Sequence, residues 1–426
     1  MELRPYQQKM LERLRFSMRA HDKVLAVLPT GGGKTIIFSE IARRAAASGK
    51  RVQVLVHRRE LLAQAVGKLG DCCEVNTIQG WTPAPCDLVI VDEAHHATAR
   101  SWREKIDAAG GRLLGFTATP QRLDGSGLST VFDTMVQGPT VRQLILGGFL
   151  SSYRLYAPPG RPDLTGIRRV RGDYSRKALG EAVGTRGVVA AALKNWKMYG
   201  IGRQTIGFCV SVAHMEQVAA TFREAGVRVG TIDGKQTPGA RADAVRDFKA
   251  GRIQVLLSVE LISEGFDCPD ADCILMLRPT ASLAMYLQQV GRGLRPSSQE
   301  CLILDCAGNS VKHGMPCADR EWSLASERVT RDGVANVAVR VCSRCFSCHR
   351  PGVRVCPFCG FQHPLDSRIP EEREILLQEK KKEAREMRRD VGRARSAEEL
   401  MELAKRRGYS PKWVDHVLRS RGISRY

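Results

Sequence analysis

The stretch Pro29-Thr30-Gly31-Gly32-Gly33-Lys34-Thr35 has the residue types that hold a phosphate chain. Its glycines let backbone N–H groups approach phosphate oxygens with no Cβ in the way, and a helix that follows adds its positive dipole end. Lys34 can reach the outer phosphates and the Thr35 hydroxyl can ligate Mg2+. The strict form of this loop has a glycine six residues before the lysine, where Leu28 stands here. Further on, an apolar run ends in Asp92-Glu93-Ala94-His95. Asp92, at the end of a buried strand, can hold the Mg2+ that bridges phosphates, and Glu93 can polarise an attacking water as a general base.

A second chemistry lies near the C-terminus. Of 14 cysteines, five fall between Cys342 and Cys359. The pairs Cys342-x2-Cys345 and Cys356-x2-Cys359 can wrap one tetrahedral Zn2+. Cys348 is a possible substitute in the first pair, and His349 and His363 are outside candidates. Arg340, Arg344, Arg350 and Arg354 flank or interrupt the cluster. Phe346 and Phe358 can stack on bases. Nucleic-acid contact is the favoured role, and a structural staple is the alternative.

Something must position these groups. Residues 24–28, 52–56 and 88–91 are short apolar runs, with helix-like stretches at 36–47 and 59–69 between them. That alternation predicts a parallel sheet with helices on its faces. It recurs at 205–210, 228–232, 253–258 and 273–277, with helices at 214–225 and 237–249. Two α/β domains follow one another, joined near 125–138. Residues 157–175 read as a loop. Ser396 and Glu399 form a capping box before Leu400, and Ser410-Pro411 starts a second helix carrying Trp413, Val414, Val417 and Leu418.

Composition narrows the partners. Lysine plus arginine is 66 and aspartate plus glutamate 45, a formal charge of +21. Such an excess calls for a polyanion, nucleic acid before membrane. The residues beyond 340 carry a disproportionate share of it, with no amphipathic apolar face beside them. The sequence holds no long apolar run for a membrane span and no apolar signal core at Met1–Met10. Scattered cysteines without a leader read as a reducing cytoplasm, in a bacterial or phage-infected cell.

The motifs, in order, make the chain resemble a superfamily-2 helicase of the DEAD/DEAH-box type. The nearer likeness is to the branch of xeroderma-pigmentosum-B-like and phage DNA helicases and type I restriction translocases. It covers about residues 2–296. Leu3-Arg4-Pro5-Tyr6-Gln7 resembles the adenine-recognition element, in which Gln7 would read the base and Arg4 assist. Because the chain begins almost on this motif, no accessory domain is expected ahead of it. His57-Arg58-Arg59 and Thr77-Ile78-Gln79-Gly80 resemble the strand-contacting motifs. Thr117-Ala118-Thr119 resembles the motif that couples ATP state to strand movement, with His95 and Gln288 implied in the same coupling. Gln121-Arg122-Leu123-Asp124-Gly125 continues in the manner of the xeroderma-like branch, and Arg122 is implied as a nucleic-acid contact.

In the second domain, Phe208 to His214 is similar to the fourth motif and Val259 to Pro269 to the fifth. Gly265 and Asp267 would touch the nucleotide sugar, while Val259-Glu260 departs from the usual Thr-Asp. Gln288 to Arg295 is similar to the sixth motif, and it implies Arg292 and Arg295 as arginine fingers. Alone, such a stretch could be a basic surface turn.

The resemblance implies an α/β chain of two tandem RecA-like P-loop domains, 1–137 and 138–312. A linker 313–340, a zinc ribbon 341–366, a charged helix 367–395 and a basic helical hairpin 396–426 would follow. It implies an ATP-, Mg2+- and Zn2+-dependent DNA helicase or translocase, acting as a monomer on DNA. An RNA helicase and a binding module with a degenerate motor are the alternatives.

Overall fold

A computed structural model describes residues 3–56, 66–67, 69–120, 127–170, 172–259, 271–297, 299–325, 339–364, 394, 396–406, 414 and 417–418. Two units separate, 1–361 and 362–426. The first opens with α1 (Pro5–Ala20), β1 (Lys23–Val27), α2 (Lys34–Ala47), β2 (Val52–Val56) and β3 (Glu74–Thr77). It continues with β4 (Leu88–Asp92), α3 (Arg100–Ala109), β5 (Arg112–Thr117) and β6 (Thr134–Gln137). These strands make one six-stranded sheet, ordered β3-β2-β4-β5-β1-β6, and every pairing is parallel. Parallel strands are covered on both faces, so they read as unbroken apolar runs. Alternation still sorts the side chains. Val24 and Ala26 face Met10 and Leu14 of α1 and Phe38 of α2, while Leu25 and Val27 face Trp102 and Ile106 of α3.

A second lobe repeats the plan. Its elements are α4 (Val141–Leu146), β7 (Tyr153–Tyr156), β8 (Arg169–Val170), β9 (Asp173–Tyr174), α5 (Arg176–Val183) and α6 (Arg186–Tyr199). Then come β10 (Thr205–Phe208), α7 (Val212–Glu224), β11 (Val229–Ile232), α8 (Pro238–Lys249), β12 (Val255–Ser258) and β13 (Cys273–Met276). The lobe closes with α9 (Leu283–Gly291), β14 (Cys301–Asp305) and α10 (Asn309–His313). Its parallel sheet is ordered β11-β12-β10-β13-β14-β7. One face packs on Tyr286 and Val290 of α9. The other packs on Trp196 and Phe222. A small antiparallel pair, β15 (Arg340–Val341) and β16 (Cys348–His349), follows.

Several expectations change. β3, β5, β6, β7 and β14 were not anticipated. β3 is a partly exposed edge strand with no apolar run to announce it. The join near 125–138 is not a connection throughout, because Thr134–Gln137 pairs with β1 and completes the first sheet. The loop 157–175 contains the antiparallel hairpin β8–β9. The described part of 313–340 is not a free linker. Trp322 and Leu324 pack into the first lobe's core, and the Leu324 carbonyl accepts from the N–H groups of Leu128 and Ser129. Arg320 steadies this strap by donating to the carbonyls of His313, Met315, Pro316 and Ala318.

In the second unit, α11 (Ala397–Arg406) starts from a Ser396 hydroxyl that accepts from Glu399 N–H at 3.1 Å. Leu400 and Ala404 bury against Val414 and Leu418. The charged stretch 367–395 lies outside the described residues apart from Ala394. Among the described residues, no helix is long and apolar enough to cross a membrane.

His214, 4 % exposed on α7, gives the fold an acid sensitivity. Its Nδ1 accepts from Val210 N–H at 3.3 Å, and burial pushes the imidazole down to about 4. The unfolded chain therefore binds a proton between pH 6.5 and 4 that the folded chain refuses, and stability falls on acidification through that window. Each pH unit costs at most about 1.4 kcal/mol. Thermal unfolding against pH should show this slope, and it should flatten in His214→Gln measured beside the wild type.

Candidate nucleotide site and cysteine centre

The phosphate loop lies between β1 and α2, held down by a Leu28 N–H donating to the Thr117 carbonyl at 3.0 Å. Gly33 begins α2 with φ +78°. That left-handed backbone favours glycine, and the Gln7 amide nitrogen occupies the place a Cβ would take. Gln7 is 1 % exposed, and its Oε1 accepts from Arg4 N–H at 2.9 Å. Tyr6 Oη donates to the Gly32 carbonyl at 3.2 Å. The start of α1 also grips the second lobe. Arg4 lies 5.4 Å over the Phe149 ring and donates to its carbonyl at 3.4 Å.

Asp92 ends β4, level with Phe116 on the neighbouring strand. Burial raises its carboxyl to about 6; the adjacent Glu93 charge adds to this and Lys34 opposes it. A dry carboxylate of this kind, with Thr35 on the first turn of α2, fits a hard divalent cation. Glu93 is held at φ +49°, a left-handed conformation rare for a side-chain-bearing residue. Its carboxylate stands 3.8 Å from Lys34 Nζ and 3.4 Å from His95 Nδ1. His95 Nδ1 is 3.1 Å from Thr117 Oγ1. That hydroxyl donates to the Thr119 carbonyl and accepts from Thr119 N–H. A continuous polar chain therefore runs Lys34–Glu93–His95–Thr117–Thr119.

The second lobe closes on this loop. Helix α9 ends at Gly291, and a Cβ added there would sit 2.5 Å from Thr30 Cβ. Gln288, Gln289 and Arg292, beside Gly291 in the chain, are all buried. Half-buried Arg295 is fixed through its carbonyl, which accepts from Ser151 Oγ at 2.7 Å. Beside the contact is a cleft lined by Pro29, Thr30, Ala118, Gly291 and, from the strap, Arg320 and Trp322.

Thr77 and Gln79 stand at the end of β3 and in the loop after it. Lys105 of α3 organises that loop, donating to the carbonyls of Trp81 at 2.7 Å, Ile78 at 2.9 Å and Gln79 at 3.4 Å. Nothing in the sequence marks Lys105, one lysine on an amphipathic helix. His57, Arg58, Arg59, Arg122, Gly265 and Asp267 lie outside the described residues.

The sulfurs of Cys342, Cys345, Cys356 and Cys359 all lie within 4.8 Å of one another. Two pairs, Cys342–Cys359 and Cys345–Cys356, stand at 3.7 Å. A tetrahedron with metal–sulfur arms of about 2.3 Å has edges of roughly 3.8 Å, so the group fits one soft metal ion. Cys348, the possible substitute, does not join this group. It is 2 % exposed within the second lobe's core, 4.0 Å from Ser310 Oγ, with its thiol pushed up to about 12 by burial. The knuckles are fastened to edge strand β7 by a Tyr156–Ser347 bridge and by Ala157 N–H donating to the Phe346 carbonyl.

A family model described as "Helicase conserved C-terminal domain" matches residues 189–297. One described as "Type III restriction enzyme, res subunit" matches 1–83 and 79–122. The chain is 31% identical over 374 residues to the "51.5 kDa protein" of Lactococcus phage (isolate 7-9), covering 83% of this chain and 82% of that one. It is 29% identical over 356 residues to the "Putative ATP-dependent helicase IRC3" of Saccharomyces cerevisiae, covering 72% of this chain and 52% of that protein, about half its length. It is 21% identical over 370 residues to the "DNA 3'-5' translocase XPB2" of Sulfurisphaera tokodaii, covering 71% and 81%. In fold it is similar to a fragment of a putative HsdR subunit of a type I restriction enzyme from Vibrio vulnificus YJ016. That likeness has a TM-score of 0.57 at 20% identity and covers 73% of this chain and 65% of that one. With two parallel-sheet lobes, a glycine loop facing buried Asp92 and half-buried Glu93, and these likenesses across most of its length, the chain belongs to the superfamily-2 helicases and is an ATP-hydrolysing helicase.

Proposed function

We propose that the chain is a DNA helicase or translocase that turns ATP- and Mg2+-dependent closure of its two lobes into movement along DNA. The observation that carries this is the seating of Gly291, at the end of α9, directly on Thr30 of the phosphate loop. Pro29 to Lys34 cradle the phosphates, and Gln7, assisted by Arg4, reads the base. Thr35 and Asp92 would hold Mg2+, which supplies charge neutralisation between the phosphates. Glu93 orients the attacking water and takes its proton. Arg292 and Arg295 approach from the other lobe and stabilise the charge that develops on the outer phosphate. Gly265 and Asp267 complete the sugar side. When the phosphate leaves, the arginines lose their anionic partner and the cleft can open. Both lobes come from one polypeptide, so a monomer holds a complete site.

The polar chain from Lys34 to Thr119 supports a coupling role for His95, Thr117 and Thr119, with Gln288 on the opposing helix. Thr77 and Gln79, with His57, Arg58, Arg59 and Arg122, form the proposed strand-contacting set. DNA is favoured over RNA by the translocase and restriction-enzyme likenesses and by the run from Gly115 to Gly125. The four-cysteine group is proposed to hold zinc. The fastening of its knuckles to β7 supports a staple of the second lobe, while Phe358, 42 % exposed beneath Arg154, keeps a stacking surface.

Four measurements test this. Lys34→Ala should abolish nucleic-acid-stimulated ATPase, and turnover retained in that variant would remove the mechanism. Stimulation of the wild type by single-stranded, duplex and forked DNA should exceed stimulation by RNA; the reverse order would make it an RNA motor. Gly291→Ala should fold with an unchanged melting profile but lose about tenfold or more in kcat, because its methyl group holds the arginines off the phosphate loop. Elemental analysis should find one zinc per chain, lost in Cys356→Ser and kept in Cys348→Ser.

A further inference from the structure

Residues 160–183, inserted between β7 and α6, form a small domain-like cap on the second lobe. Leu164, Ile167, Tyr174, Leu179 and Val183 make their own cluster and seat it on Val210. Val210 follows the C-terminal end of β10. A second anchor sits past the C-terminal end of β13. The Asp173 carboxylate accepts from Ala281 N–H at 2.6 Å, from Thr280 Oγ1 at 3.1 Å and from Arg278 Nη2 at 3.3 Å. Asp173 and Arg278 are both largely buried. Lys312 adds a third tie, donating to Tyr174 Oη at 2.9 Å.

Two consequences follow. The cap lies on the edge of the sheet where parallel α/β folds bind ligands, outside the carboxyl ends of their strands. Its one acidic hairpin residue, Asp173, is spent inward on the anchor. What faces water is then basic. Arg168 and Arg169 of the hairpin are exposed, as are Arg161, Arg176 and Lys177 around it, against Asp163 and Glu181. Val170 on the hairpin is 51 % exposed, an apolar side chain set among the arginines. None of the helicase motifs accounts for this element.

We propose that the β8–β9 hairpin is a nucleic-acid grip of the second lobe, in which Arg168 and Arg169 contact backbone phosphates. This rests on the DNA reading above and adds a contact outside the motifs. Asp173 is a positioning residue. It ties the hairpin to Thr280 and Ala281, immediately before the helix that carries Gly291 to the phosphate loop, so the grip moves with the arginine side of the nucleotide cleft.

The test is DNA binding by fluorescence anisotropy across a salt series, using full-length wild type, Arg168→Ala/Arg169→Ala and Arg168→Lys/Arg169→Lys. Each phosphate contact contributes a slope of about 0.7–0.9 in log affinity against log salt. The alanine pair should lower the slope by roughly 1.5 and weaken binding about tenfold near 0.1 M salt. The lysine pair should keep the wild-type slope, and DNA-free ATPase and melting should be unchanged in both. An alanine pair with wild-type affinity and slope overturns the hairpin proposal alone, as does a lysine pair as defective as alanine. A wild type that binds no DNA overturns the hairpin proposal and the DNA reading together.

Discussion

The meeting of the two lobes of the first unit turns on one close approach, Gly291 against Thr30. The Gly291 backbone meets the Thr30 side chain where a further side chain would have kept the lobes apart. The proposed encounter of a nucleotide on the first lobe with arginines of the second rests on this contact. Charge stabilisation across the gap falls off steeply with distance and with intervening water. A methyl group at the contact is therefore a chemical change as much as a steric one. The strap through Arg320, Trp322 and Leu324 reinforces the same closure by returning from the second lobe to the core of the first.

On the first lobe, the polar chain from Lys34 to Thr119 links the phosphate site to the end of β5. Its carboxylate member, Glu93, is held in a left-handed conformation that costs energy for a residue bearing a side chain. That geometry turns one carboxylate toward both a lysine and a histidine. Asp92 beside it is dry and its carboxyl is raised, a state that a bound cation relieves. Strain and desolvation collect where the chemistry is, and the surrounding parallel sheet is conventional.

The second lobe shows how appendages become parts of a motor. The cysteine knuckles are fastened to β7, and Cys348 stands apart from the four-cysteine group and serves as core. The 160–183 cap is likewise fixed, through Asp173 and its own apolar cluster. Basic residues held on rigid supports lose less entropy on meeting a phosphate backbone than the same residues on free tails.

The sequence by itself determined the class of chemistry. Glycine-lysine-threonine after an apolar run, a buried strand ending in two acids, and paired cysteine knuckles are local patterns, and local backbone geometry is enough to make them meaningful. The alternation of apolar runs and amphipathic helices likewise revealed the α/β plan, because a strand covered on both faces has few other compositions. Tertiary structure decided what depends on residues distant in sequence. Strand β3 was illegible because its support comes from a neighbour and not from its own side chains. Lys105 became an organiser only when α3 was laid beside the loop after β3. Cys348 and Cys342 are equivalent in spacing, and only the packing of β16 against the core separates them. Asp173, Arg278 and Thr280 meet across more than a hundred residues of chain, a proximity that no local pattern encodes.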